Sequence, residues 1–162
     1  MIAAASKTNI TSIMNPASGS GSAANSDYTA AVNTFRAAGG KVIGYVPTNY
    51  GARAQAGVLA EVDKYQHFYN EDGIFLDEMS NLASNLAFYQ TVYSSIKAIN
   101  SAYSVFGNAG TNTLETYLTP ADVLVTFENQ TSYADYVPDA WTQNYAADRF
   151  APLLYNVAAN QP

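Results

Sequence analysis

The strongest constraint on the fold comes from segment 73–78, GIFLDE, in which large apolar residues run into two adjacent carboxylates. An apolar run of this length is typical of a strand buried on both faces, as in a parallel sheet covered by helices. Such a strand does not normally end on two acids unless its end lies in a polar opening. In α/β folds that opening lies at the carboxyl ends of the strands, where ligands bind. We therefore expect Asp77 and Glu78 to be site residues.

Segments with strand character alternate with segments of helical periodicity along the chain. Alternation at intervals of roughly 25–30 residues is typical of right-handed βαβ units, in which helices connect parallel strands. The pattern predicts strands at 10–14, 41–46, 73–78, 104–107, 122–127 and 150–157, and helices at 28–38, 55–70, 84–100 and 114–118. Residues 2–7 resemble the last turns of a helix, and 158–162 form a short polar tail. We expect an α/β fold of about six parallel strands, in a single partial domain over residues 1–162.

Polar residues stand at the carboxyl ends of five predicted strands. These residues are Asn15, Thr48, the pair Asp77 and Glu78, Asn108 and Glu128. In a parallel sheet or barrel these ends meet at one rim, although they are far apart in sequence.

Side-chain alternation in the fifth predicted strand indicates where its acid points. Val123, Val125 and Phe127 share one face, which is wholly apolar and suits contact with a helix layer. Glu128 lies on the opposite face, so we expect it to point to the inner side of the sheet.

The third predicted strand brings two further acids to the same rim. Asp77 shares a face with Phe75 and should point inward, whereas Glu78 must turn at the strand end to join it. One strand separates Asp77 from Glu128, so their strand axes lie about 10 Å apart.

Acids leaning inward from these two strands could approach to about 5–9.5 Å, the separation of carboxyl groups in glycoside hydrolysis. One acid held protonated and one held ionised would protonate the leaving group and stabilise the cationic transition state. The spacing does not decide between the retaining and the inverting separation. Three carboxylates on one rim could instead hold a divalent cation, but the chain lacks a dense Asp/Asn loop, so we predict no metal and no cofactor.

Composition excludes several classes of function. The net charge of −6 and pI of about 4.4 disfavour binding to nucleic acid or to anionic membrane surfaces. With no cysteine and one histidine, the chain cannot form disulfides, and a multi-histidine metal site or histidine-based triad is not expected. No run is long enough to span a membrane. The first residues lack the basic and apolar regions of a signal peptide.

Each acid also has a structural interpretation. A carboxylate at a strand end is often a helix cap or an ion-pair partner, here for Arg53 or Arg149. Two acidic positions on one rim, in a chain with only 12% charged residues, favour a functional role. Tyr45, Tyr50 and Trp141 lie near strand ends and loops, where aromatic rings can stack on a sugar.

Four segments resemble, in order, the marker segments of the spherulation-specific family 4 proteins. They are IMNPASG at 13–19, IGYVPTNYGAR at 43–53, GIFLDE at 73–78 and VTFE at 125–128. The resemblance covers nearly the whole chain. It implies a (β/α)8 TIM-barrel fold and a glycoside hydrolase, since characterised fungal members cleave an exopolysaccharide that contains N-acetylgalactosamine. It also implies an extracellular or cell-surface location.

The resemblance places the acidic cleft residues of the family on Asp77, Glu78 and Glu128. The residues that would line the groove are Asn15, Tyr45, Thr48, Tyr50, Arg53 and Asn108. We expect Asp77 to act as nucleophile or charge stabiliser and Glu128 as proton donor. Glu78 would orient the other acids or share either role.

The chain departs from the family pattern at both ends. The family normally has one earlier strand and one later strand, so the six strands here would be the second to the seventh of eight. The missing two are neighbours in a closed barrel, so the barrel would be incomplete, with two exposed edges. Self-association, another partner or a rearrangement could fill the gap, unless the chain is a fragment. Pro152 inside the last strand indicates an edge or a bulge.

Three functions compete on this basis. The leading hypothesis is a glycosidase that acts on an amino-sugar exopolysaccharide. The second is a non-catalytic carbohydrate-binding or cell-surface module with an incomplete barrel. The third is an unrelated α/β enzyme that uses its carboxylates with a metal.

Overall fold

The computed structural model describes residues 1–157, which contain a six-stranded parallel sheet. The strands are β1 (Thr11–Met14), β2 (Lys41–Pro47), β3 (Gly73–Asp77), β4 (Ser104–Asn108), β5 (Val123–Asn129) and β6 (Phe150–Leu154). Each strand pairs in parallel with the next one in sequence, so β1 and β6 form the edges. The prediction of six parallel strands is confirmed, with ends displaced by a few residues. The predicted tail, 158–162, lies outside the described residues.

Helices cover the first part of the sheet and give way to shorter turns in the second part. The α-helices are α1 (Ile2–Ala5), α2 (Ser26–Ala37), α3 (Gln55–Tyr69) and α4 (Leu86–Ile99). One 3₁₀ turn, Glu115–Leu118, connects β4 to β5, and three connect β5 to β6. Within residues 1–157, no helix has the length and apolar character needed to cross a membrane.

The two faces of the sheet bury different apolar clusters. Valine, isoleucine and leucine side chains on the outer face of β2, β3 and β4 pack against α3 and α4. At Gly44 a β-carbon would lie 2.6 Å from the Tyr65 ring, so only glycine permits this approach of α3. Ile43, Phe75 and Val125 form a smaller cluster on the inner face. The architecture is that of an incomplete (β/α)8-type barrel.

Two aspartates tie the sheet together at the end opposite the strands' carboxyl ends. Asp72 accepts hydrogen bonds from a backbone N–H of β2 (2.8 Å) and from Arg36 of α2 (2.9 Å). Asp122 accepts in the same way from a backbone N–H of β4 (2.8 Å) and from Lys97 of α4 (2.6 Å). Burial alone raises the pKa of Asp122, but the Lys97 ammonium and the backbone N–H outweigh it, so the net pKa is lowered.

Glu71, which precedes Asp72, is a buried acid without a cationic partner in ion-pair contact among residues 1–157. It is 2% exposed, and within that range neither of its carboxyl oxygens makes a hydrogen bond of ordinary geometry. Burial raises the pKa of Glu71 to about 7, because an ionised carboxylate is poorly solvated there. Hydrogen bonding by its own backbone N–H and by the Tyr103 hydroxyl lowers this pKa in part, the nearby Asp72 carboxylate raises it, and the Arg36 guanidinium lowers it.

We predict that Glu71 makes the fold less stable as the pH rises through neutrality. The folded-state pKa lies above the unfolded value, so the folded state holds the proton more tightly. The contribution of Glu71 to the free energy of unfolding is therefore greatest below the unfolded pKa of 4.5. It decreases as the pH rises from there to about 7 and is then constant. Glu71→Gln should remove this dependence and add roughly 3 kcal/mol to the free energy of unfolding at pH 8.

Urea denaturation of the parent and the variant at pH 5 and pH 8 measures this difference. Glu115→Gln is the matched control, since it makes the same change at an exposed glutamate. Equal slopes of stability against pH in the parent and Glu71→Gln would contradict the prediction.

Candidate active site

The carboxyl end of β3 forms the centre of the site. Asp77 ends the strand on the inner face, two residues after Phe75, as alternation predicts. Glu78 follows in the left-handed region, with φ of 52°, which a side chain other than glycine rarely adopts. Its Oε2 accepts a hydrogen bond from the backbone N–H of Asn49 at 3.0 Å. This backbone conformation lets Glu78 line the same cavity as Asp77.

A buried hydrogen-bond network fixes this strained turn. The backbone N–H of Thr48 donates to the Asp77 carbonyl, and its hydroxyl lies within 2.9 Å of the carbonyls of both Asp77 and Glu78. The Tyr89 hydroxyl lies 2.9 Å from the Thr48 hydroxyl and accepts from the Ser80 N–H at 2.8 Å. Thr48 and Tyr89 are both completely buried. The prediction that Thr48 lines the groove is therefore wrong, because it supports the acids from beneath.

Glu128 reaches the site through a bulge in β5. Val125 pairs with Ala151 and Phe127 with Pro152, so Thr126 is an extra residue without a partner in β6. Val125 packs in the inner cluster, so the prediction that it faces the helix layer is wrong. The extra residue shifts the alternation by one position and returns Glu128 to the inner side. Pro152 thus lies on an edge strand opposite a bulge, as the sequence indicated.

The side chain of Asn108 joins the acids of β3 and β5. Its Nδ2 donates one hydrogen bond to Asp77 Oδ1 and another to Glu128 Oε2, each of 2.7 Å. Because the two N–H groups of an amide diverge by about 120°, the two accepting oxygens lie about 5 Å apart. Asn108 is 4% exposed, and its side chain lines the cavity between the acids while it holds both of them.

The three acids lie in a cavity of about 150 Å³, here called the acid cleft. Its lining residues are Tyr50, Asp77, Glu78, Asn108, Ala109, Gly110 and Glu128. Tyr50 is 61% exposed at the mouth. Tyr45 lies beside the cleft, where burial, then the Asp77 carboxylate and the charges of Glu78 and Glu128 raise the pKa of its hydroxyl. Tyr45 therefore stays a neutral hydrogen-bond donor.

The acids have no cationic partner among residues 1–157. Arg53 pairs with Glu61 at 2.6 Å, and Arg149 donates to three backbone carbonyls of residues 118–122. The interpretation of the strand-end acids as partners of these arginines is therefore wrong. In the same range, no three His, Cys, Asp or Glu side chains are grouped so that they could hold a metal ion.

Three predicted residues lie apart from the acid cleft. Arg53 lines a separate polar cavity next to Glu78. Asn15 accepts from the Gly19 N–H at 2.8 Å and lines a third cavity beside β1. Trp141 packs against Phe150 with ring centroids 5.6 Å apart, so its ring belongs to the core and not to the cleft.

Sequence reasoning missed two residues near the site. Tyr89 belongs to the apolar face of α4, and its periodicity indicates core packing but not its buried hydroxyl contacts. Glu61 lies on α3 and contacts both Arg53 and the Ser20 N–H. No local sequence pattern predicts either contact, because the partners lie on different secondary-structure elements.

Comparison with known proteins gives a family match, a curated relative and a solved structure of similar fold. The model of the spherulation-specific family 4 matches residues 1–162. Spherulin-4 of Physarum polycephalum is 39% identical over 170 residues, which cover 98% of this chain and 51% of that protein. The chain thus spans about half the length of this curated relative. The crystal structure of Aspergillus clavatus Sph3 in complex with GalNAc is similar in fold, with a TM-score of 0.75 and 22% identity. This similarity covers 92% of this chain and 67% of that one.

We predict that the buried network beneath Glu78 stabilises the whole fold. Tyr89→Phe leaves the buried Ser80 N–H without its acceptor and removes one of the three contacts of the Thr48 hydroxyl, so it should reduce the free energy of unfolding by about 1–3 kcal/mol. Thr48→Val should have an effect of similar size. Chemical denaturation measures both, with Thr91→Val on the exposed face of α4 as control. An unchanged free energy of unfolding in both variants would show that the network does not stabilise the turn at Glu78.

Proposed function

Because the chain belongs to the spherulation-specific family 4, we propose that it is a glycoside hydrolase. Its substrate in this proposal is an exopolysaccharide that contains galactosamine or N-acetylgalactosamine. The observation that carries the proposal is the pairing of Asp77 and Glu128 on the two N–H groups of one amide, Asn108. Two carboxyl groups held close together on the inner rim of a (β/α) barrel are the catalytic groups that glycoside hydrolysis requires.

The separation of the acids supports direct displacement by Asp77. The oxygens of Asp77 and Glu128 that accept from Asn108 lie about 5 Å apart, which is compatible with the close carboxyl spacing of retaining glycosidases. The Asp77 carboxylate would attack the anomeric carbon while the glycosidic C–O bond breaks and Glu128 protonates the leaving oxygen. Water would then attack the same carbon, give a proton to Glu128 and release Asp77.

The remaining residues would support these two acids. Asn108 holds Asp77 and Glu128 at a fixed separation with a neutral donor. Glu78, oriented by its strained backbone and by the Asn49 N–H, would position the substrate or share a proton with its neighbours. Tyr45 keeps its proton and would donate a hydrogen bond within the site.

The sugar in the proposal comes from the comparisons. The Sph3 structure of similar fold was determined with GalNAc, and the acid cleft opens at the rim where barrels of this type bind ligands. An amino-sugar polysaccharide is therefore the first substrate to test. An extracellular or cell-surface location is part of the same proposal, as is a single partial domain over residues 1–162.

A second candidate is a carbohydrate-binding or cell-surface module without catalysis. It is favoured by the two edges of the sheet, because neither the outer side of β1 nor that of β6 is paired within residues 1–157. Exposed parallel edges invite pairing with another chain, so self-association belongs to this candidate.

We predict that the 162-residue chain releases reducing ends from a purified galactosamine-containing exopolysaccharide. Asp77→Asn and Glu128→Gln should each lower this rate by about 100-fold or more, because each removes one half of the acid pair. A reducing-sugar assay measures the rate, and circular dichroism verifies that each variant is folded.

Matched controls make the same chemical changes at exposed positions. Asp63→Asn and Glu115→Gln should keep the parent's rate. A well-folded parent without any release would reject catalysis for this chain and leave the binding module. Release that persists in both acid variants would reject the assigned residues.

A further inference from the structure

A second cavity lies beside the acid cleft, on the side of β2. It has a volume of about 590 Å³, within the usual size of small-molecule sites. Its lining residues are Ser18, Tyr45, Pro47, Asn49, Arg53, Glu61 and Glu78. Glu78 lines both this cavity and the acid cleft, so the two spaces are direct neighbours.

The far wall of this β2-side cavity is held by an ion pair between two segments. Arg53 lies 2.6 Å from Glu61 and also donates to the backbone carbonyls of Pro47 and Gly57. Glu61 in turn accepts from the Ser20 N–H at 3.0 Å. The loop after β1, the loop after β2 and α3 are thereby tied together around the cavity. The wall is preformed, which lowers the entropic cost of binding a ligand.

The lining combines apolar rings with hydrogen-bonding groups. The rings of Tyr45 and Pro47 present flat apolar surface, and Ser18, Asn49 and Glu78 present polar atoms. A pyranose ring has the same mixture, with C–H groups on its faces and hydroxyl groups at its edge. The cavity is therefore suited to a sugar unit.

The charges of the cavity discriminate between kinds of sugar. Arg53 is already neutralised by Glu61, whereas Glu78 has no cationic partner within residues 1–157. An anionic sugar would meet the unpaired carboxylate of Glu78 and gain no free cation. A neutral or positively charged sugar meets no such penalty.

We propose that the β2-side cavity is a second saccharide subsite. It binds the sugar unit next to the one held over Asp77 and Glu128, and it selects a pyranose without negative charge. This inference rests on the proposed function, since it assumes a saccharide in the acid cleft. It follows that chains of two or more units bind better than single sugars.

Titration calorimetry on the Asp77→Asn variant, which prevents turnover, tests the subsite. The ligands are N-acetylgalactosamine and its disaccharide and trisaccharide, prepared from the galactosamine-containing exopolysaccharide. The disaccharide should bind about tenfold more tightly than the monosaccharide, as expected for one or two additional hydrogen bonds. Digalacturonate, an anionic disaccharide, should bind at least about tenfold more weakly than the neutral one.

A second substitution shows whether the higher affinity for the disaccharide than for the monosaccharide comes from this cavity. Ser18→Trp fills the cavity from its exposed rim and should remove the gain between monosaccharide and disaccharide. Ser94→Trp makes the same change on the exposed surface of α4 and should leave the gain intact. Equal affinity for one and two units, or a gain that survives Ser18→Trp, would overturn the subsite. So would digalacturonate binding as tight as that of the neutral disaccharide.

The experiments can reject the subsite and the glycosidase activity independently of each other. A parent that releases no reducing ends, combined with a length-dependent affinity lost in Ser18→Trp, would leave the subsite and reject the glycosidase. A parent that releases reducing ends but shows no length dependence would leave the glycosidase and reject the subsite.

Discussion

Parallel pairing of the strands in sequence order is the constraint on which the rest of the structure depends. It places every carboxyl end on one rim and every amino end on the other. At the amino-end rim, Asp72 and Asp122 each accept a hydrogen bond from a backbone N–H of a neighbouring strand and pair with a cation, Arg36 of α2 and Lys97 of α4. At the carboxyl-end rim, Asp77, Glu78 and Glu128 have no cationic partner within residues 1–157. The same topology thus separates the part that stabilises the sheet from the part that is available for chemistry.

The carboxylates of the acid cleft accept hydrogen bonds from uncharged donors. Asn108 donates to two carboxylates at once, and the Asn49 N–H donates to the third. A lysine or arginine at the position of Asn108 would neutralise the acids more strongly, but in the proposed glycosidase it would also repel the positively charged transition state. An amide sets the distance and leaves the negative field in place for a cationic species.

The fold and the identity of the acids could be read from the sequence because they depend on local patterns. Apolar runs, helical periodicity and polar strand ends were enough for six strands and for Asp77, Glu78 and Glu128 as candidates. The predicted orientation of Val125 is wrong because a one-residue bulge cannot be recognised in an alternating sequence pattern. The family resemblance places Thr48 and Arg53 in the groove, but Thr48 is buried against Tyr89 of α4, and Arg53 pairs with Glu61 of α3 in the wall of the β2-side cavity. Contacts between distant elements are the part that alternation and spacing cannot supply.

The bulge at Thr126 makes the cleft depend on the length of β5 as well as on its residues. Up to Val125 the strand follows the register of the inner cluster, and one extra residue then brings the next acid inward. A deletion of a single residue at this point would keep every chemical group of the site in the sequence. It would nevertheless turn Glu128 toward the outer face and separate it from Asn108. Among relatives of this chain, a gap of one position in β5 is therefore as informative about the cleft as the replacement of an acid.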